Sequence, residues 1–220
     1  MHYTESEIKD LNRVTRLKLM NSITGIKSAN LIGSVSKSGN TNLAIFSSVV
    51  HLGSDPALIA LVMRPSNDVK RDTLNNILET KKFTINHVHN AFIENAHYTS
   101  LNFKQDQSEF DYCNLESFYI DNYLPPFVKK SKVKIGLKLI EVIPIKSNNC
   151  KFIIGEVEHI LIDDSINLIT EGEVNLEKSS SVGVGGLNSY YTMNKAIQLP
   201  FPRLSITPAS EMDEFWKKKS

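Results

Sequence analysis

Two arginines and a threonine are the residues of this chain best suited to hold an anion. Arg64 follows the apolar run from Ala57 to Met63, and Arg71, Asp72 and Thr73 stand where a helix is expected to begin. A helix start offers backbone N–H groups without partners, and guanidinium groups add charge and directed donors. Together with the Thr73 hydroxyl they can converge on one phosphate. An isolated Arg-Asp-Thr also has a plainer reading, a solvated arginine and a helix cap. Asn42, Ser47 and Ser48 lie upstream, on or beside an expected strand. Asn42 presents both a donor and an acceptor, although an asparagine after a turn often serves only the turn.

Other chemically suggestive residues carry less. His87 and His89 are spaced to share one strand face, as two metal ligands would, but no third ligand stands at a motif spacing from them. Gly183, Gly185 and Gly186 do not complete a Gly-x-Gly-x-x-Gly, because Asn188 takes the last place and no strand–helix–strand unit surrounds them. Ser34, Ser36 and Ser38 read as the wet face of a strand, with no base beside them. Cys113 and Cys150 are too few for a disulfide framework or a zinc cage, and read as reduced, buried or half-buried thiols.

The elements that must position these groups are mostly strands. Helical spacing of Ile8, Leu11 and Val14 predicts an amphipathic helix from about Glu5 to Leu19. Strands are expected over 29–36, 42–50 and 57–63, separated by the turn signals Lys37-Ser38-Gly39-Asn40 and Gly53-Ser54-Asp55-Pro56. A short helix follows at Asp72-Thr73, then a strand over 83–89 and a helix over 91–101. The stretch 102–126 reads as an aromatic-rich loop in which Pro125-Pro126 stops any regular element. Val133, Ile135, Leu137 and Leu139 alternate with lysines, and 150–162 forms the hairpin partner across Ser147-Asn148-Asn149. Short strands joined by turns indicate an antiparallel barrel with inserted helices rather than a parallel α/β sheet.

Composition narrows the function classes. A net charge of +1 lacks the footprint of a nucleic-acid binder. The local clusters Lys129, Lys130, Lys132, Lys134 and Lys217–219 read as a solvated strand edge and a terminus. The polar N-terminus carries no signal-peptide stretch and no apolar run is long enough to cross a bilayer, so a cytoplasmic protein is expected.

The order of motifs adds a family. Residues 31–65, LIGSVSKSGNTNLAIFSSVVHLGSDPALIALVMRP, and 71–86, RDTLNNILETKKFTIN, give in sequence a strand, a Gly-Asn turn, an Asn-x-Ala-x-x-Ser stretch, a Ser-Asp-Pro corner and an Arg-Asp-Thr helix start. With Glu94 to Ser100, Ser108-Glu109-Phe110, Gly185-Gly186 and Tyr190-Tyr191, this resembles the flavin reductase-like family over roughly residues 29–204. The resemblance implies a mainly β, antiparallel FMN-binding split barrel of Greek-key type with peripheral helices. It divides the chain into an N-terminal helical extension (1–28), the barrel domain (29–204) and a C-terminal tail (205–220). It further implies a homodimer, FMN as cofactor, hydride supplied by NADH or NADPH, and an oxygenase or other electron acceptor. Asn42, Ser47, Ser48, Arg64, Arg71 and Thr73 then become the flavin-binding set, the last three at the phosphate, and no side chain is nominated as catalytic. Tyr190 and Tyr191 suit either the flavin's border or the core. Alternatives are an FMN electron carrier that uses no nicotinamide, a noncatalytic FMN-binding module and, more distantly, a pyridoxamine-phosphate-oxidase-like enzyme.

Overall fold

The computed structural model describes residues 1–65, 72–104, 106–166, 172–199 and 217. It opens with two helices, α1 (Glu5–Asp10) and α2 (Arg13–Ser22), rather than the one expected. Asn12 breaks the run because its side chain accepts the Thr15 N–H and starts a new helix.

Seven strands form the main sheet: β2 (Asn30–Val35), β3 (Thr41–Phe46), β4 (Val49–Ser54), β5 (Ala57–Met63), β6 (Lys82–His87), β9 (Val133–Ile145) and β10 (Cys150–Ile162). Their order is β3-β2-β6-β9-β10-β5-β4, every pair antiparallel. β3 and β4 are the two outer strands, yet only Ser47 and Ser48 separate them in the chain. The sheet's two edges therefore meet at that corner, where Val62 N–H donates to the Ser48 carbonyl at 2.9 Å. This corner corrects the expectation of a single strand from Asn42 to Val50. Elsewhere the edges part, which makes the barrel split.

Two apolar clusters fill the molecule. Ile32, Leu61, Phe83, Leu137 and Ile153 pack on one face of the sheet with Leu74 and Ile77 of helix α3 (Asp72–Thr80). Leu31, Leu43, Val88, Phe92, Phe110 and Val128 pack on the other. Neighbours in β2 thus point into different cores and the whole strand is buried, Ser34 included at 0% exposure. The wet face expected at Ser34 and Ser36 is not there. Helices α4 (Ile93–Tyr98) and α5 (Glu109–Tyr112) and the peripheral hairpin of β11 (Val182–Gly185), which also pairs with β1 (Lys27–Ser28), and β12 (Ser189–Thr192) cover the second core.

Pro125-Pro126 do not end regular structure; they lie inside strand β8 (Tyr123–Val128), the partner of β7 (Ser117–Ile120). The prolines fall where the β7–β8 register is interrupted, so no ladder bond is lost. Side chains attach β8 to the main sheet instead. Thr84 Oγ1 donates to Pro126 O at 2.8 Å, Asn86 Oδ1 accepts from Val128 N at 2.9 Å, and Tyr123 Oη donates to Phe83 O at 2.7 Å. Gly33 makes room for this crossing, since a Cβ there would sit 2.3 Å from the Pro126 carbonyl oxygen.

Candidate functional site

As an outer strand, β3 has one free side, and hydrogen bonding tells which residues face it. Ser36 N–H bonds Asn40 O across the preceding turn, so even-numbered residues of β2 and β3 face each other's backbones. Thr41, Leu43 and Ile45 direct theirs outward. The first two are covered by the start of α5. Ser108 Oγ lies 2.7 Å from Thr41 Oγ1, and Glu109 Oε2 accepts the Leu43 N–H at 2.8 Å. Ile45 and the Ser47-Ser48 corner continue the edge beyond this cover.

On the inner side, β3 meets α3. Asn42 Nδ2 donates to Thr73 Oγ1 at 2.9 Å and reaches Ser34 Oγ at 3.5 Å, while Asn76 Nδ2 donates to Ser34 Oγ at 3.2 Å. This leaves Asn42 Oδ1 to accept. A small pocket opens beside the network, its lining including Ser36, Asn42, Asp72, Asn76, Lys104 and Glu109. Burial pushes the Glu109 carboxyl above its ordinary value; the Leu43 N–H opposes this and the like charge of Asp72 adds to it.

The structure therefore brings Asn42 and Thr73 together and puts Ser47 and Ser48 at the barrel corner. Arg64 is exposed just past β5, and Arg71 lies outside the described residues. Thr73 is already helical and buried, and its hydroxyl joins helix to strand by accepting from Asn42. Ser34, Asn76 and Glu109 join the site without having been singled out for it. Glu109 had a trace in Ser108-Glu109-Phe110, but nothing local announces a partner 66 positions away. His87 and His89 are used separately. His87 Nδ1 lies 3.2 Å from Ser181 Oγ, with burial lowering its pKa to about 4, and His89 Nδ1 accepts the Ala91 N–H. No group of three metal-binding side chains occurs among the described residues. Tyr190 packs on the second core, its hydroxyl 3.0 Å from His97 Nδ1.

Residues 25–172 match the flavin reductase like domain. A candidate flavin reductase with a split-barrel domain from Shewanella frigidimarina is 40% identical, with a TM-score of 0.87 over 92% of this chain and 100% of that one. The chain belongs to the flavin reductase-like family. Two further structures share the fold of this flavin reductase-like chain. Nitrilotriacetate monooxygenase component B from Bacillus cereus is 19% identical, with a TM-score of 0.79 over 90% of this chain and 98% of that one. Flavoredoxin of Desulfovibrio vulgaris is 22% identical, with a TM-score of 0.70 over 80% and 91%.

Family membership makes a flavin the group to test against these residues. Asn42 and Ser47 are five positions apart on an extended chain, roughly 17 Å, so they serve one ligand only if it is elongated. A flavin with its polyol phosphate is. The outward backbone of Ile45 and the serine corner could supply donors for a ring edge, and Asn42 Oδ1 could supply an acceptor for a hydroxyl. The pocket's described lining carries Lys104 against Asp72 and Glu109, so charge for a phosphate has to come from outside it. The donor set fits the ring and polyol.

Proposed function

We propose that this flavin reductase-like chain binds FMN along the Ile45–Ser48 end of the β3 edge, past the start of α5, and works as an NAD(P)H-dependent flavin oxidoreductase. The observation that carries this reading is that α5 covers Thr41 and Leu43 but not Ile45 and the corner, next to the Asn42–Thr73 pair. The Ile45 N–H and the Ser47 and Ser48 hydroxyls orient the ring. Asn42 accepts from the polyol, and Thr73, Arg64 and Arg71 serve the phosphate. FMN held there would supply hydride chemistry with NADH or NADPH as donor and an oxygenase component or another acceptor as the electron sink. The chain's work is binding and orientation, and no side chain needs to act as acid or base.

A homodimer completes the reading. Val50 and Leu52 on β4 and Ile140 and Ile143 on β9 are apolar and exposed, a surface that a second copy can bury. No helix among the described residues is long and apolar enough to cross a membrane. Residues 1–28 read as an extension, since α1 and α2 bury none of their residues.

Rapid mixing of the FMN-loaded protein with NADH and with NADPH, in the absence of oxygen, tests the reading. Bleaching of the flavin absorbance by either nucleotide is expected. Bleaching by dithionite alone would replace the reductase with an electron carrier fed by a protein donor.

A further inference from the structure

Glu109 is an unusual choice for covering a strand edge. Such edges are commonly blunted by exposed charges. Glu109 is only 8% exposed, and burying a carboxylate costs free energy even when it is hydrogen-bonded. The Ser108–Thr41 contact already ties α5 to the same edge. Glu109 adds a charge-assisted bond to one backbone group, the Leu43 N–H, at 2.8 Å.

The next outward N–H on that edge belongs to Ile45, about 7 Å further along. Only Ala44 lies between, and it is paired with Ile32 of β2. No glycine or bulge separates the two positions, so a group that fixes the backbone at Leu43 also constrains it at Ile45. Building on the proposed flavin site, we propose that Glu109 is a positioning residue for the flavin: its carboxylate fixes the outer edge of β3 so that the Ile45 N–H meets the ring.

Among the described residues, Asp72, Lys104 and Cys113 are the charged or titratable groups set against this carboxylate. Asp72 faces it from the start of α3 and Lys104 from the loop before α5. Cys113, at the end of α5, has its thiol pushed up by burial and then by Glu109 itself. Because the carboxyl is held above its ordinary value, its contribution to folding stability is full below that ordinary value and is lost as pH rises through the raised one. Its grip on the Leu43 N–H runs the other way, since the ionised carboxylate is the stronger acceptor. On the Glu109 account, flavin affinity therefore falls with acidification while the stability contribution of Glu109 rises. A residue that merely supports the fold would move both together.

The test is titration of the full chain with FMN and with riboflavin, followed by flavin fluorescence from mildly acidic to neutral pH, for the wild type, Glu109→Ala and Glu109→Gln. Glu109→Ala is expected to weaken both ligands alike, by about tenfold. Glu109→Gln keeps a neutral acceptor for Leu43, so it should restore affinity to within about threefold and flatten the pH profile. Wild-type affinity in Glu109→Ala overturns the proposal, as does equal weakening in both variants or an unchanged pH profile in Glu109→Gln. If Glu109→Ala does not fold, the Glu109→Gln profile decides. A wild-type chain that binds neither flavin refutes the flavin site itself, whereas normal wild-type binding with indifferent variants refutes only the role of Glu109.

Discussion

Residue by residue, the two ends of the proposed cofactor make different demands. Arg71 is assigned to the phosphate, so Arg71→Ala should remove a charge-assisted bond. That is a loss of about 1.5–3 kcal/mol, or roughly 10–150-fold in FMN affinity. Riboflavin lacks the phosphate and should bind almost as before. Asn42→Ala should weaken both ligands, because the proposed site sets its acceptor against the polyol they share and its loss also leaves Thr73 without its donor. The FMN-to-riboflavin affinity ratio cancels general damage to the fold. An unchanged ratio in Arg71→Ala would remove Arg71 from the phosphate, and an equal change in Asn42→Ala would move Asn42 to that end.

At the level of elements, the site depends on strands held by side chains as well as by ladders. β8 crosses β2 and β6 on bonds from Thr84, Asn86 and Tyr123, and it fits because residue 33 has no side chain. Gly33→Ala would place a methyl 2.3 Å from Pro126 O and 2.4 Å from Thr84 Oγ1. A backbone carbonyl bonded to Thr84 has little freedom to retreat. Overpacking of this kind costs about 1–3 kcal/mol, at roughly 2–4 °C of Tm per kcal/mol for a chain this size. Gly33 lies opposite Leu43 in the β2–β3 register, so the edge proposed to bind flavin should be disturbed too. Thermal unfolding by circular dichroism checks this. A Tm equal to that of the wild type would mean that β8 is not pressed against β2.

For the molecule as a whole, the exposed apolar side chains of β4 and β9 make a surface suited to a second copy. Val50 and Leu52 are 45% and 48% exposed on the outer strand β4, and Ile140 and Ile143 are 49% and 41% exposed on β9, with β10 and β5 between the two strands. If a second copy covers them, light scattering at micromolar concentration should give twice the chain mass of 24.8 kDa. Val50→Lys should shift that mass toward the monomer, since a buried lysine has no partner there. A wild-type monomer that binds FMN would mean that one chain completes the site.

Much of this was legible in the residues alone. The alternation in 133–139, the turn signals at Gly39-Asn40 and Asn148-Asn149, and the order of motifs from Leu31 to Asn86 mark an antiparallel barrel, because strand period and turn chemistry are local properties. The same order directed attention to Asn42 and Thr73, which the fold joins at 2.9 Å. Other features were decided only by the tertiary structure. Ser47-Ser48 lie within one apolar stretch, and they become a corner because the sheet's two edges must meet there. Pro125-Pro126 carry a strong local stop signal, overridden because Thr84, Asn86 and Tyr123 replace the ladder. Ser34 alternates like a wet residue but is buried, because both faces of β2 carry a core. Glu109 reaches Leu43 across 66 positions, and a contact of that kind depends on how α5 packs against β3, which no local pattern encodes.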